Sequence, residues 1–323
     1  MHSDWFVTGY VHYDHARHED VHNKQIRVHA LFPGSIVPVS TSNDTPLLQM
    51  IFAGGIAAVT SRTLTAPIEK VKILAQTSPR YGGFQSICVK VIRNEGFSGL
   101  FAGNLVNCLR VFPTSAIACI IYSKMMKSTP LDLSLHQNQL MWRFMSGTTA
   151  WLVSTTLMYP MDVVRTRITI QDSVVPSPYS RYMGIGDAFR TIFREEGVYG
   201  FYKGLGPTLG TIAPFMGIQL TVYDVIKESA DFQPNAFTYL VCGAFAAMVA
   251  QTVMYPLDIV RRQMQISHGP AEGRRSTISM IRQLYASGGV PCLYSGLSVA
   301  YMKVMPAASI SLLVRDFLMG RLE

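Results

Sequence analysis

The sequence predicts an all-α membrane protein of six transmembrane helices built as three tandem repeats. Three observations carry this reading. Landmark residues recur three times along the chain at nearly constant spacing. Charged residues are only 15% of the total and mean hydropathy is +0.22, against roughly a quarter charged in ordinary soluble domains. Long apolar segments also carry strings of small residues that suit close helix packing in lipid. So few charges cannot cover a water-facing surface unless much of that surface faces hydrocarbon.

Residues 1–45 read as a polar, flexible extension holding six of the eight histidines. In the run HYDHARHEDVH, His15, His18 and His22 share one helix face, as imidazoles around a borderline metal would. No supporting pattern accompanies them, so neither a metal nor a cofactor is expected, and no EF-hand loop is present. The first thirty residues lack an apolar signal core, and Asp4, Asp14, Glu19 and Asp20 interrupt the basic residues of a would-be transit peptide. Five cysteines without a Cys-x-x-Cys pair argue against a zinc site or disulfide scaffold. The net charge of +8 is not gathered into a basic block, which disfavours nucleic acid and favours anionic lipid and an anionic solute.

Residues 46–323 divide into repeats at 46–135, 136–232 and 233–323. The first expected helix, 46–76, contains AGGIAA and runs through Pro67; the second, 104–127, runs through Pro113. The third, 138–169, contains SGTTA and Pro160, and the fourth, 205–229, contains Pro214. The fifth, 236–265, holds CGAFAA and Pro256, and the sixth, 297–320, holds Pro306. At about 1.5 Å per residue each reaches across a hydrocarbon core of about 30 Å. Pro67, Pro160 and Pro256 lack an amide hydrogen and permit a bend. Between the two helices of each repeat lies an amphipathic stretch ending in a glycine-marked turn: EGFSGLFAG, EEGVYGFYKG and GGVPCLYSG. The second proline follows ten residues after Gly103, Gly204 and Gly296.

These motifs resemble the mitochondrial carrier family, whose repeated signature is Pro-x-Asp/Glu-x-x-Lys/Arg followed by an acidic-Gly and an aromatic-basic-Gly motif. The resemblance implies a monomeric, multi-pass protein of the mitochondrial inner membrane, with six helices around a pseudo-threefold axis. It also implies alternating access to one central solute site, without enzymatic chemistry. It places Glu69, Lys72, Asp162, Arg165, Asp258 and Arg261 in a matrix gate, pairing Glu69 with Arg165, Asp162 with Arg261 and Asp258 with Lys72. Gln76 and Gln265 match the family's brace beneath that ring, with Thr169 at the third place. The cytoplasmic gate is sparser: Tyr223, Asp224 and Lys227 are complete in the second repeat, Asp316 survives in the third, and Ser123 and Met126 replace the charges in the first. The turns depart from the pattern at Ala102, Ser295 and Gly288, while still suiting lipid head groups, cardiolipin among them.

The resemblance further places solute contacts at Arg110, Thr211, Ile212 and Lys303, with Arg62 as a basic residue seen in nucleotide-type members. Three cations facing a watery cavity with few compensating acids call for a polyanion. The nearest branch implies exchange of a phosphorylated adenosine-containing anion such as coenzyme A or an adenine nucleotide. A di- or tricarboxylate is the alternative solute, and a proton leak or membrane adaptor the alternative class.

Overall fold

The computed structural model describes residues 28–32, 35–39, 47–77, 83–128, 136–171, 182–229, 236–267 and 276–319. The histidine run from His15 to His22 lies outside them. The helices are α1 (Leu47–Leu64), α2 (Ala66–Thr77), α3 (Phe84–Gly99), α4 (Asn104–Lys127), α5 (His136–Ile170), α6 (Ile185–Gly200), α7 (Leu205–Ser229), α8 (Ala236–Ile266), α9 (Thr277–Leu293) and α10 (Leu297–Met319). Each repeat supplies one long helix through the first proline, one short helix and one long helix through the second proline. In the first repeat the leading helix is divided at Thr65 into α1 and α2, where a single helix was expected. The Thr65 hydroxyl bonds back to the Ser61 carbonyl at 2.8 Å, and Pro67 sits in the opening turn of α2, where its missing amide costs least.

The long helices close into a ring. Within repeats, α1 packs on α4, α5 on α7 and α8 on α10; between repeats, α4 packs on α5, α7 on α8 and α10 on α1. At one end α2, α5 and α8 also touch one another, so the three leading helices converge on the axis there. Each short helix sits against the converging part of its own repeat through a small apolar core. Val71 and Leu74 meet Ile87 and Val91; Val164 meets Ala188 and Ile192; Ile259 and Met264 meet Met280 and Leu284. Large apolar side chains such as Leu109, Leu157, Val253 and Leu313 are exposed, as a lipid-facing surface requires.

Length and composition alone mark α4, α7 and α8 as able to cross a membrane among the described residues, three helices where six were expected. α2 is a helix of 12 residues that carries Glu69, Lys70 and Lys72, and α5 mixes Gly, Ser and Thr with Arg143, Asp162, Arg165 and Arg167. A second departure from the helical reading is an antiparallel strand pair in the N-terminal extension, β1 (Val28–Phe32) with β2 (Ser35–Val39), next to α1, α4 and α5. Val28, Ala30 and Phe32 alternate there with the period of a strand, and Ile36, Val37 and Val39 favour the pleated conformation.

Gly103, Gly204 and Gly296 open the trailing helices with φ of 78°, 80° and 79°. The backbone at Gly204 lies so close to the next repeat that a Cβ would stand 2.9 Å from the Arg261 carbonyl and 3.0 Å from the Tyr159 hydroxyl. Gly204→Ala is therefore expected to cost about 1–3 kcal/mol from left-handed strain and crowding. A thermal melt of the purified protein should show a drop of several degrees, with Gly206→Ala, where a Cβ meets nothing nearer than 3.9 Å, left almost unchanged. Equal melts for the two variants would disprove the account of this turn.

Candidate functional site

Where the leading helices converge, acid and base three residues apart share a helix face and reach the neighbouring repeat. Lys72 Nζ lies 2.9 Å from Asp258 Oδ2, Arg165 Nη2 lies 2.9 Å from Glu69 Oε1, and Arg261 Nη2 is bonded to Asp162 Oδ2. The structure thus brings together all six residues of the ring read from the sequence, in the expected pairs. Their side chains are mostly shielded from water, which strengthens the attraction and makes any unmatched charge costly.

The side groups of this ring differ between repeats. Gln76 Nε2 donates to Asp258 Oδ2 at 3.0 Å, bracing the Lys72–Asp258 pair directly. Gln265 instead donates to the Tyr159 hydroxyl at 3.1 Å, and its Oε1 accepts from Thr166 and Arg262. Thr169 bonds its own backbone at Arg165, 2.8 Å away. Two tyrosines add to the ring: Tyr255 lies under Lys72 and Tyr159 beside Arg261, each 5.9 Å from cation to ring centre. The Tyr-Pro dipeptides of the second and third motifs carried that signal; the first motif has Ala66 in the same place.

The solute-contact cations are where the reading of the sequence needs correction. Arg110 and Lys303 were expected to face a cavity poor in acids. Arg110 Nη1 is 3.1 Å from Asp162 Oδ1, and Lys303 Nζ is bonded to Glu69 Oε2. The cause is the ring topology: each trailing helix packs on the leading helix of the next repeat, so a basic residue seven places after the turn glycine reaches that helix's acid. Asp162 is consequently shared by Arg110 and Arg261, and Glu69 by Lys303 and Arg165. In the second repeat the same place holds Thr211, whose hydroxyl donates to the Pro207 carbonyl at 2.6 Å, beside buried Ile212. Arg62 Nη1 donates to Asn107 Oδ1 at 2.8 Å, which identifies Asn107 as a polar neighbour the spacing rules had not singled out.

Beyond the ring, the acids of the turn motifs tie the short helices down. Lys70 pairs with Glu95, and Arg167 embraces Glu196 through both terminal nitrogens at 2.9 and 3.0 Å. Lys203 reaches Glu196 at 2.6 Å and the Ser267 carbonyl at 3.0 Å. Lys70 and Arg167 escaped the sequence reading because they stand at different offsets from their prolines. Gly288 occupies the acidic place in the third repeat, where Ser295 instead bonds the Ala75 carbonyl at 2.8 Å. Of the sparse opposite set, Asp224 is exposed on α7, while the side chains of Lys227 and Asp316 lie outside the described residues.

Comparison with known proteins agrees with this architecture. The family profile described as mitochondrial carrier protein matches three times, at residues 43–131, 136–231 and 232–323. Mitochondrial substrate carrier family protein P of Dictyostelium discoideum is 32% identical over 87% of this chain and 96% of its own length. A mitochondrial adenine nucleotide transporter of Arabidopsis thaliana is 32% identical over 82% of this chain and 84% of its own. A mitochondrial adenyl nucleotide antiporter of Mus musculus is 34% identical over 82% of this chain and 57% of its own. The chain belongs to the mitochondrial carrier family: it is a multi-pass membrane transporter of a small solute, and not an enzyme.

Arg167 and Lys203 are 1% and 0% exposed and share one carboxylate. Glu196→Gln leaves both cations buried without it, at an expected cost of about 3 kcal/mol or more. The melting temperature should fall well below that of Glu195→Gln, which removes a charge from an exposed neighbour. No difference between the two would mean that the cations are solvated by water and the strut is idle.

Proposed function

We propose that this carrier exchanges a phosphorylated, adenosine-containing anion, such as coenzyme A or an adenine nucleotide, across the mitochondrial inner membrane by alternating access. It works as a monomer with six membrane-spanning helices, and with lipid, cardiolipin included, at the ends of its short helices. The observation that carries this reading is the sharing of Asp162 and Glu69 by a ring cation and a cavity cation each. An anion entering the cavity replaces the carboxylates on Arg110 and Lys303. Asp162 and Glu69 then keep one partner instead of two, so solute binding and the ring are energetically linked.

In this reading the ring is the matrix gate, closed here, with Gln76 as a direct brace and Gln265 as an indirect one. Asp224, Lys227 and Asp316 form the thinner cytoplasmic gate. Charge balance supports an anion with several negative groups. Among the described residues around the ring, Arg62, Lys72, Arg110, Arg165, Arg261, Arg262 and Lys303 stand against Glu69, Asp162 and Asp258. The wall at Thr211 and Ile212 is uncharged, fitting a solute whose charge is concentrated at one end. The Arabidopsis and mouse relatives, an adenine nucleotide transporter and an adenyl nucleotide antiporter by name, point the same way.

The test is uptake of labelled coenzyme A, ATP, ADP, phosphate, malate and glutamate into liposomes bearing the purified protein. Saturable uptake of an adenosine phosphate is expected. Arg110→Ala and Lys303→Ala should each cut it by about 10- to 100-fold, the worth of one charge-assisted hydrogen bond. Uptake of malate or glutamate alone would move the chain to the carboxylate reading. Proton flux without competition by any of these solutes would make it a leak, and activity indifferent to both substitutions would remove the solute site from these residues.

A further inference from the structure

Arg262 takes no part in the ring or in the cavity contacts, yet it is buried, at 7% exposure, on α8 beside Arg261. Nη1 donates to Thr166 Oγ1 at 2.9 Å, on the neighbouring repeat, and to Gln265 Oε1 at 3.1 Å. Its Nε has no partner, and among the described residues no carboxylate lies within ion-pairing distance of the guanidinium. Asp162 and Asp258, the nearest acids of the ring, are already held by Arg110, Arg261 and Lys72. A guanidinium held only by a hydroxyl and an amide in a water-poor layer is a costly arrangement.

The fold does not call for that charge. Six residues after the first proline of each repeat stand Ile73, Thr166 and Arg262, so an apolar and a neutral polar residue fill the equivalent places in the same architecture. The two sides of the ring are also distinct. Arg110 approaches Asp162 through Oδ1 and Arg261 through Oδ2, while Arg262 faces Gln265, one turn further toward the end where α2, α5 and α8 converge. Arg110 and Lys303 therefore serve the cavity, and Arg262 lies on the other side of the closed ring at the seam of α5 and α8.

We infer that Arg262 is the anion contact of the opposite conformation, taking a phosphoryl group of solute that enters from the matrix side once α5 and α8 separate. This rests on the anion-exchange reading above and adds to it a side-specific site. Separation removes Thr166 from the guanidinium, and what is given up is a hydrogen bond to a neutral hydroxyl instead of an ion pair. The planar fork is then available for two oxygens of one phosphate, which a lysine could match only as a point charge. The residue thus forms no ion pair in the closed state and gains one in the open state.

Arg262→Met and Arg262→Lys test this in proteoliposomes of known protein orientation, with labelled ADP or coenzyme A as probe, half-saturation being read separately from each side. Arg262→Met should raise half-saturation on the matrix side about tenfold or more and leave the cytoplasmic side within about twofold. Arg262→Lys should recover part of that loss. Because the methionine also relieves an unpaired buried charge, its melting temperature in detergent should equal or exceed that of the unaltered protein. Equal changes on the two sides, or a lower melting temperature with or without failure to fold, would make Arg262 a strut between repeats and overturn the assignment. If the unaltered protein exchanges neither probe, the anion reading itself falls, and this site with it; exchange by the unaltered protein with symmetric kinetics in the variant overturns this site alone.

Discussion

The structure depends on carboxylates held in common. Three acids at the convergence of α2, α5 and α8 must hold the closed end together, and two of them, Glu69 and Asp162, also answer to cations from the trailing helices. A unit ion pair at about 4 Å is worth about 1 kcal/mol in water and about 4 at an effective dielectric of 20. In the proposed alternating access the closed ring gains from excluding water and an open ring recovers much of that as hydration, which keeps the two states close in energy. A difference of a few kcal/mol, the scale of one or two solute contacts, then selects between them.

Threefold architecture does not make the three interfaces equal. Asp258 receives Lys72 and Gln76 and no cavity cation, because the second repeat offers Thr211 and Ile212 where the others offer Arg110 and Lys303. Beside the Arg261–Asp162 pair, the interface between the second and third repeats is rich in bonds to neutral side-chain and backbone acceptors: Thr166 and Arg262 to Gln265, Gln265 to Tyr159, and Arg167 and Lys203 to carbonyls at the end of α8. In the proposed exchange, solute binding acts most directly on two seams, and the third is left to other groups.

Much of the fold was legible because its signals are local and repeated. A proline, an acid two places on and a base three further fix a helix face, and the same triplet in three units fixes its neighbours. The six ring residues could therefore be picked out from their positions, while their pairing came from the resemblance to mitochondrial carriers. The engagement of Arg110 with Asp162 and of Lys303 with Glu69 was not legible, because it depends on how deeply a trailing helix of one repeat sits against the leading helix of the next. Arg167 with Glu196 and Lys70 with Glu95 were missed for a related reason: the acids keep their place in the turn while the bases move by a helical turn along α5 and α2. The strand pair at Val28–Val39 was hidden by the polar, histidine-rich composition of the extension that contains it.

Charge excess supports the proposed exchange over one-way passage. Among the described residues, seven cations meet three carboxylates around the ring, so the protein without solute carries a surplus of positive charge into a layer shielded from water. Rearranging the ring without solute means moving that surplus while Arg110 and Lys303 hold two of the three acids. A bound polyanion neutralises the surplus and frees those acids, so the loaded carrier meets the lower barrier. In the proposed exchange, return then also requires an anion, which ties transport in one direction to transport in the other.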